Sequence, residues 1–148
     1  MAINEEIKSR FKNEKHKASV NLLFTAYWLK DKLIVALRDH DLTLEQHNVM
    51  RILRGSHPNG MRVQDILSRM GEKSSNVPRI IDKLAAKKLA IRVVPEHDKR
   101  ETHVTLTEKG IKVIDKARIT IDNVTERLLQ INDQEAGALN SLLDKTRG

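Results

Sequence analysis

A chain of 148 residues with 39% hydrophobic and 32% charged content can bury one core, which excludes disorder as its main description. Its net charge of +7 favours a polyanionic partner. The absence of cysteine excludes disulfides, thiolate metal sites and thiol redox sensing, and no apolar run reaches the ~18 residues of a membrane span.

The opening Met1-Ala2-Ile3-Asn4-Glu5-Glu6 is polar and acidic, unlike a secretory signal, so a bacterial-type cytoplasm is the expected location. Helical periodicity predicts a first helix from about Lys12 to Arg38, through Leu22, Phe24, Ala26, Leu29, Leu33, Ile34 and Leu37. Asp39-His40-Asp41 breaks it. Thr43, with Gln46 three residues on, forms a capping box for a helix that buries Val49, Ile52 and Leu53. Gly55 to Gly60 is a loop. A short helix from about Arg62 to Met70 buries Val63, Ile66, Leu67 and Met70, and Gly71 supplies the left-handed turn that ends it.

Ser74 or Ser75 is expected to cap the next helix, with Pro78 in its first turn where a missing amide proton costs least. Val77, Ile80, Ile81 and Leu84 face inward. Asn76, Arg79, Lys83 and Lys87 recur on the other side as a polar, basic stripe. Two β-branched runs follow, Ile91–Pro95 and Thr102–Leu106. They are separated by the charged loop Glu96-His97-Asp98-Lys99-Arg100-Glu101, the pattern of a hairpin. Thr107 caps a long helix on which Ile114, Ala117, Ile121, Val124, Leu128 and Ile131 recur at alternating intervals of three and four. Asn132 and Glu135 form a second capping box, for a last helix bearing Ala136, Leu139, Leu142 and Leu143.

Charge is uneven along this series. From Met61 to Val93 there are eight basic residues against three acids, which is +5 of the +7. A solvated helix face is the plain reading of such a run, and a polyanion surface the functional one. All four aromatics (Phe11, Phe24, Tyr27, Trp28) precede residue 30. Single-strand binders stack bases on aromatics, so the basic half suits duplex DNA instead.

The segments Ser74–Leu84, Lys88–Arg92, Asp98-Lys99-Arg100-Glu101-Thr102 and Val104-Thr105-Leu106-Thr107-Glu108-Lys109-Gly110 carry a resemblance to the MarR (multiple-antibiotic-resistance regulator) family of winged-helix regulators. That family combines a serine/threonine-rich recognition-helix start, an Asp-x-Arg wing and a Leu-Thr-x-x-Gly helix start. Here they fall in the right order and spacing over about 70 residues. One departure is Lys88-Leu89, where the family often has Gly-Leu. The helix end therefore lacks the residue that most easily turns left-handed.

The resemblance implies a mainly α fold with a small β-hairpin wing. Residues 1–148 would form one unit, with a winged helix-turn-helix at 43–107 and helical dimerisation parts at 1–40 and 108–148. It implies a homodimeric, sequence-specific regulator of pseudo-palindromic duplex DNA, a repressor by the commoner family outcome, with a small-molecule effector as a further partner. The family's effector cleft lies between dimer helices and winged domain. Tyr27 and Trp28 would suit such a cleft and equally suit core or interface packing, so no ligand site is assigned. No cofactor and no membrane partner are implied.

Within that reading Ser74, Ser75, Asn76 and Arg79 reach base edges or phosphates. Lys83 and Lys87 add positive field, and Lys99 meets phosphate. Arg100 at the wing tip enters the minor groove, and Asp98 pairs with an arginine to brace the wing. The plain alternatives are helix caps for the serines and solvated surface for the rest. Ile114, Ala117, Ile121, Val124, Leu128, Leu139 and Leu142 would form the dimer interface, or else close the chain's own core.

Rival readings are an enzyme, a metal sensor and a winged helix used for protein contacts. The six histidines include no HExxH pair, and neither a phosphate loop nor a nucleophile elbow occurs. His40 and His47 would share a helix face only without the break at Asp39–Leu42. A histidine/carboxylate metal-sensing regulator therefore has little support. The basic stripe and Arg100 weigh against the protein-contact module.

Overall fold

The structure is a computed structural model, which describes every residue except Met1, Ser74, His97 and Lys99. Its elements are α1 (Ile3–Ile7), α2 (Glu14–Leu37), a 3-10 turn (Arg38–His40), α3 (Leu44–Ser56), β1 (Met61–Arg62) and α4 (Val63–Arg69). Then come α5 (Val77–Ala86), β2 (Ala90–Val93), β3 (His103–Leu106), α6 (Glu108–Leu128) and α7 (Asp133–Arg147).

Local chemistry sets most of these boundaries. The Asn13 side chain accepts the His16 amide N–H and starts α2. Thr43–Gln46 and Asn132–Glu135 both close as reciprocal capping boxes, as their spacing predicts. The Thr107 hydroxyl accepts the Gly110 amide N–H at 2.9 Å and opens α6. The core gathers the apolar sides of α3, α4 and α5 under the sheet and the first half of α6. Met50, Leu53, Ile66, Val77, Ile81, Leu84 and Val104 are among its most enclosed side chains. Only Leu37 of α2 is fully buried; Leu29, Leu33 and Ile34 are half-buried.

Three local features differ from the sequence reading or add to it. First, the hairpin has a third strand. β1 pairs antiparallel with β3 (Met61 opposite Val104), and the sheet order is β1-β3-β2. Two residues are too few to show alternation in a sequence. Second, Gly71 is not left-handed. α4 stops because Met70 turns extended (φ −72°, ψ 135°) and enters the core.

Third, the end of α5 does take a left-handed residue, and it is Lys88 (φ 60°). The Leu89 N–H donates to the Leu84 carbonyl and the Lys88 N–H to the Ala85 carbonyl, both at 2.9 Å. These two bonds form a Schellman motif closed by the buried Leu84 and Leu89. Burial of Leu89 therefore holds Lys88 where a Cβ is unfavourable. Lys88→Gly is expected to raise stability by about 1 kcal/mol, read as a higher urea midpoint at unchanged slope. A lower midpoint would contradict this account.

Candidate nucleic-acid interface

Asn76, not a serine, caps α5: its side-chain oxygen accepts the Arg79 amide N–H at 3.3 Å. The remaining amide donors of Asn76 stay on an exposed side chain. Pro78 lies in the first turn as expected. Val77, Ile81 and Leu84 are fully enclosed and Ile80 partly so, which turns Arg79 and Lys83 to the exposed side. Among the described residues neither makes an ion pair.

Ser75 and Lys87 behave differently from expectation. The Ser75 hydroxyl oxygen is covered and has no hydrogen-bond partner among the described residues, so it is neither the cap nor an exposed donor. Ser74 lies outside the described residues. Lys87 is turned inward at the base of α5. Its ammonium donates to the Gln46 side-chain oxygen at 3.1 Å and to the Asp41 carbonyl, and pairs with the Asp41 carboxylate at 3.4 Å. It fastens α5 to the start of α3.

The wing is tied to the same helix. Arg92 on β2 pairs with Asp82 of α5 at 2.6 Å and donates to the Pro78 carbonyl at 3.4 Å. The helix and the hairpin are thus held in one orientation. Asp98 braces the hairpin differently from expectation: its carboxylate accepts the backbone N–H of Arg100 at 2.9 Å. This is an Asx turn and needs no guanidinium partner. The Arg100 side chain is therefore not spent on the brace and is exposed. Lys99 lies outside the described residues. Beside the wing, Arg62 grips Asp65 through two hydrogen bonds, which hold that carboxyl below its ordinary pKa range. Residue spacing carried no signal for the Lys87 or Arg92 ties, whereas Arg62 and Asp65 stand at the i,i+3 spacing of a local pair.

The long-helix seam divides. Ile114 and Ala117 are enclosed by the chain's own core, which removes them from any surface for a second copy. Ile121 packs partly against that core. Val124 and Leu128 are half-buried, while Leu139 and Leu142 are exposed, and no residue of α7 is buried. Leu22, Leu23 and Tyr27 of α2 are also exposed, Tyr27 by 65%. Trp28 instead lines a hollow beneath α1 with Ile3 and Phe24.

Between α3 and α6 lies a cleft of about 490 Å³ lined by His47, Arg51, Arg54, Asp115, Arg118 and Asp122. Arg54 grips Asp115 across it at 2.9 and 3.3 Å. Among the described residues no group of three or more His, Asp or Glu is placed to hold a metal ion, and no helix is long and apolar enough to cross a membrane.

A capped recognition helix, the helix preceding it and a wing strapped to the recognition helix define a winged helix-turn-helix. The model of the transcriptional regulator SarA/Rot family matches residues 32–117, and the chain belongs to this family of MarR-like winged-helix regulators. Among solved structures, MepR of S. aureus in complex with DNA is 25% identical with a TM-score of 0.77, over 86% of this chain and 94% of MepR. A putative MarR-like regulator from Bacillus cereus (21% identical, TM-score 0.77, 90% and 96% covered) shares the fold. So does CouR from Rhodococcus jostii, solved bound to p-coumaroyl-CoA (19% identical, TM-score 0.76, 91% and 94% covered). No curated protein sequence matches the chain. The chain is thus a DNA-binding transcription regulator and not an enzyme.

Proposed function

We propose that two copies of this chain bind a pseudo-palindromic duplex and repress transcription by occupying it, with a small anionic effector releasing them. The observation that carries the reading is the rigid pairing of α5 with the wing. Arg79 and Lys83 stand exposed on one element and Arg100 on the other, and Arg92 locks the two together. With Asn76 at its start, α5 would lie in the major groove, and Arg100 would enter the adjoining minor groove. Asp98 serves by shaping the wing, and Ser74 and Lys99 supply phosphate contacts.

Residues 43–107 form the DNA-binding part. The exposed apolar residues of α2 and α7, together with Val124 and Leu128, support pairing through the flanking helices, since a monomer rarely leaves such patches uncovered. The first half of α6 belongs to the core and would carry the DNA-binding part on the paired helices. The α3–α6 cleft has the volume of a small-molecule site, and Arg51, which makes no ion pair among the described residues, suits an anion. The CouR complex is a precedent in the same fold for a regulator that holds an acidic ligand.

Selection of bound sequences from random duplexes is expected to return an inverted repeat with half-sites about one helical turn apart. On that duplex Arg100→Ala should weaken binding about tenfold at physiological salt, with the loss concentrated in flanking A·T positions. Unchanged affinity would remove the wing from the interface. A single unrepeated half-site would remove the dimer.

A further inference from the structure

We propose that His47 is a proton-operated latch between the helix-turn-helix unit and α6, loosening their junction and weakening duplex binding as the pH falls. The proposal rests on α5 being the groove-reading helix, because α5 packs directly on α3, which carries His47.

His47 is the fourth residue of α3 and faces the cleft toward α6. Its side chain is 6% exposed, and its Nδ1 is fully covered with no hydrogen-bond partner among the described residues. A neutral imidazole can keep that nitrogen as a bare acceptor. An imidazolium would place a charged N–H donor at Nδ1, where no described residue is placed to accept it, which is far more costly.

The surroundings offer little help. Arg51 and Arg54 stand on its own helix, His40 on the 3-10 turn, and Asp115, Arg118 and Asp122 on α6. Asp115 is already gripped by Arg54, and Asp122 lies 3.8 Å from Arg118. His40 meets the Thr120 hydroxyl at 2.7 Å and clasps the turn to α6 beside it. Burial first, then Arg51 and His40, push the His47 pKa below its ordinary 6.5, while a side-chain hydrogen bond with Asn48 and the Asp122 carboxylate pull the other way.

The sign follows from that direction. The closed junction binds the His47 proton less well than an opened, hydrated one. Closure is therefore fully favoured above the ordinary pKa and is lost as pH falls from there toward the depressed value. Opening would move α3 relative to α6 and carry α5 with it. One coupled proton limits the effect to about tenfold in affinity per pH unit.

The test uses the full chain and a duplex selected by the wild-type protein at about pH 7.5, with affinity followed by anisotropy from about pH 8 to about pH 5 at constant ionic strength. Binding at the upper pH checks the groove assignment of α5, and its loss on acidification checks the latch. Wild type should lose about tenfold in affinity across the transition, and His47→Gln should lack that inflection. Arg51→Gln should move the midpoint up and Asp122→Asn should move it down, opposite shifts that a purely structural role would not produce. Identical profiles for wild type and His47→Gln would overturn the latch. If His47→Gln does not fold, the charge variants decide, and unshifted or parallel midpoints would overturn it equally.

Discussion

Gly110→Ala is expected to destabilise the winged unit by about 3 kcal/mol or more, enough to leave much of a marginally stable domain unfolded. A Cβ at this third residue of α6 would lie 2.0 Å from the Leu89 carbonyl oxygen and 3.0 Å from the carbonyl carbon. The obstacle is backbone, so no rotamer change relieves it. Nor can that backbone easily withdraw. The Leu89 carbonyl accepts the Thr107 N–H at 3.1 Å, and the Leu89 N–H is held in the Schellman motif that ends α5. The Thr107 hydroxyl adds a donor bond to the Lys88 carbonyl at 2.7 Å. Separating the strands would break all of these together. Gly137, in the middle of α7 with nothing within 4 Å of its Cβ position, is the control. There alanine should stabilise by about 0.5–1 kcal/mol through helix propensity alone. Urea midpoints of the two variants should therefore move in opposite directions. A Gly110→Ala protein as stable as wild type would mean that α6 and the end of α5 do not approach as closely as described.

The second large effect is on DNA. Arg79→Ala is expected to cost about 1–3 kcal/mol on a selected duplex, confined to substitutions at one base pair of each half-site. Its exposed guanidinium stands in the first turn of α5 and makes no ion pair among the described residues, so it is available to a guanine edge without breaking an ion pair. Loss spread evenly over all sequences, with a shallower salt dependence, would make it a phosphate contact instead. Arg92→Ala should behave differently. It removes an exposed pair with Asp82, worth about 0–1 kcal/mol, so its effect on affinity should be smaller than that of Arg79→Ala and alike for all sequences.

Capping was the most legible part of this fold because its chemistry is local. Thr43–Gln46 and Asn132–Glu135 satisfy orphan amides within four residues, and no distant contact competes with them. The inward sides of α3 and α5 were legible for a related reason: helical periodicity is a property of consecutive residues. Ser75 and Gly71 misled because each had the right residue type for a role that a neighbour filled. Asn76 took the cap, and burial of Met70 ended α4 without a left-handed glycine. Asp98 was placed correctly at the wing, yet its partner proved to be an amide two residues away rather than a guanidinium.

Residue order alone therefore determined the helix series from α2 onward, the capped starts, the hairpin with its charged tip and the concentration of positive charge near α5. Each depends on interactions spanning only a few positions. Tertiary structure decided what those features are for. It divided the 3–4 seam, drawing Ile114 and Ala117 into the core while Leu139 and Leu142 stayed exposed, because only packing reveals which apolar face already has a partner. It turned Lys87 from surface field into an internal tie and made Arg92 the strap between helix and wing. It also gave the glycine of Leu106-Thr107-Glu108-Lys109-Gly110 its physical reason: a carbonyl oxygen from 21 residues earlier in the chain fills the space where a side chain would begin.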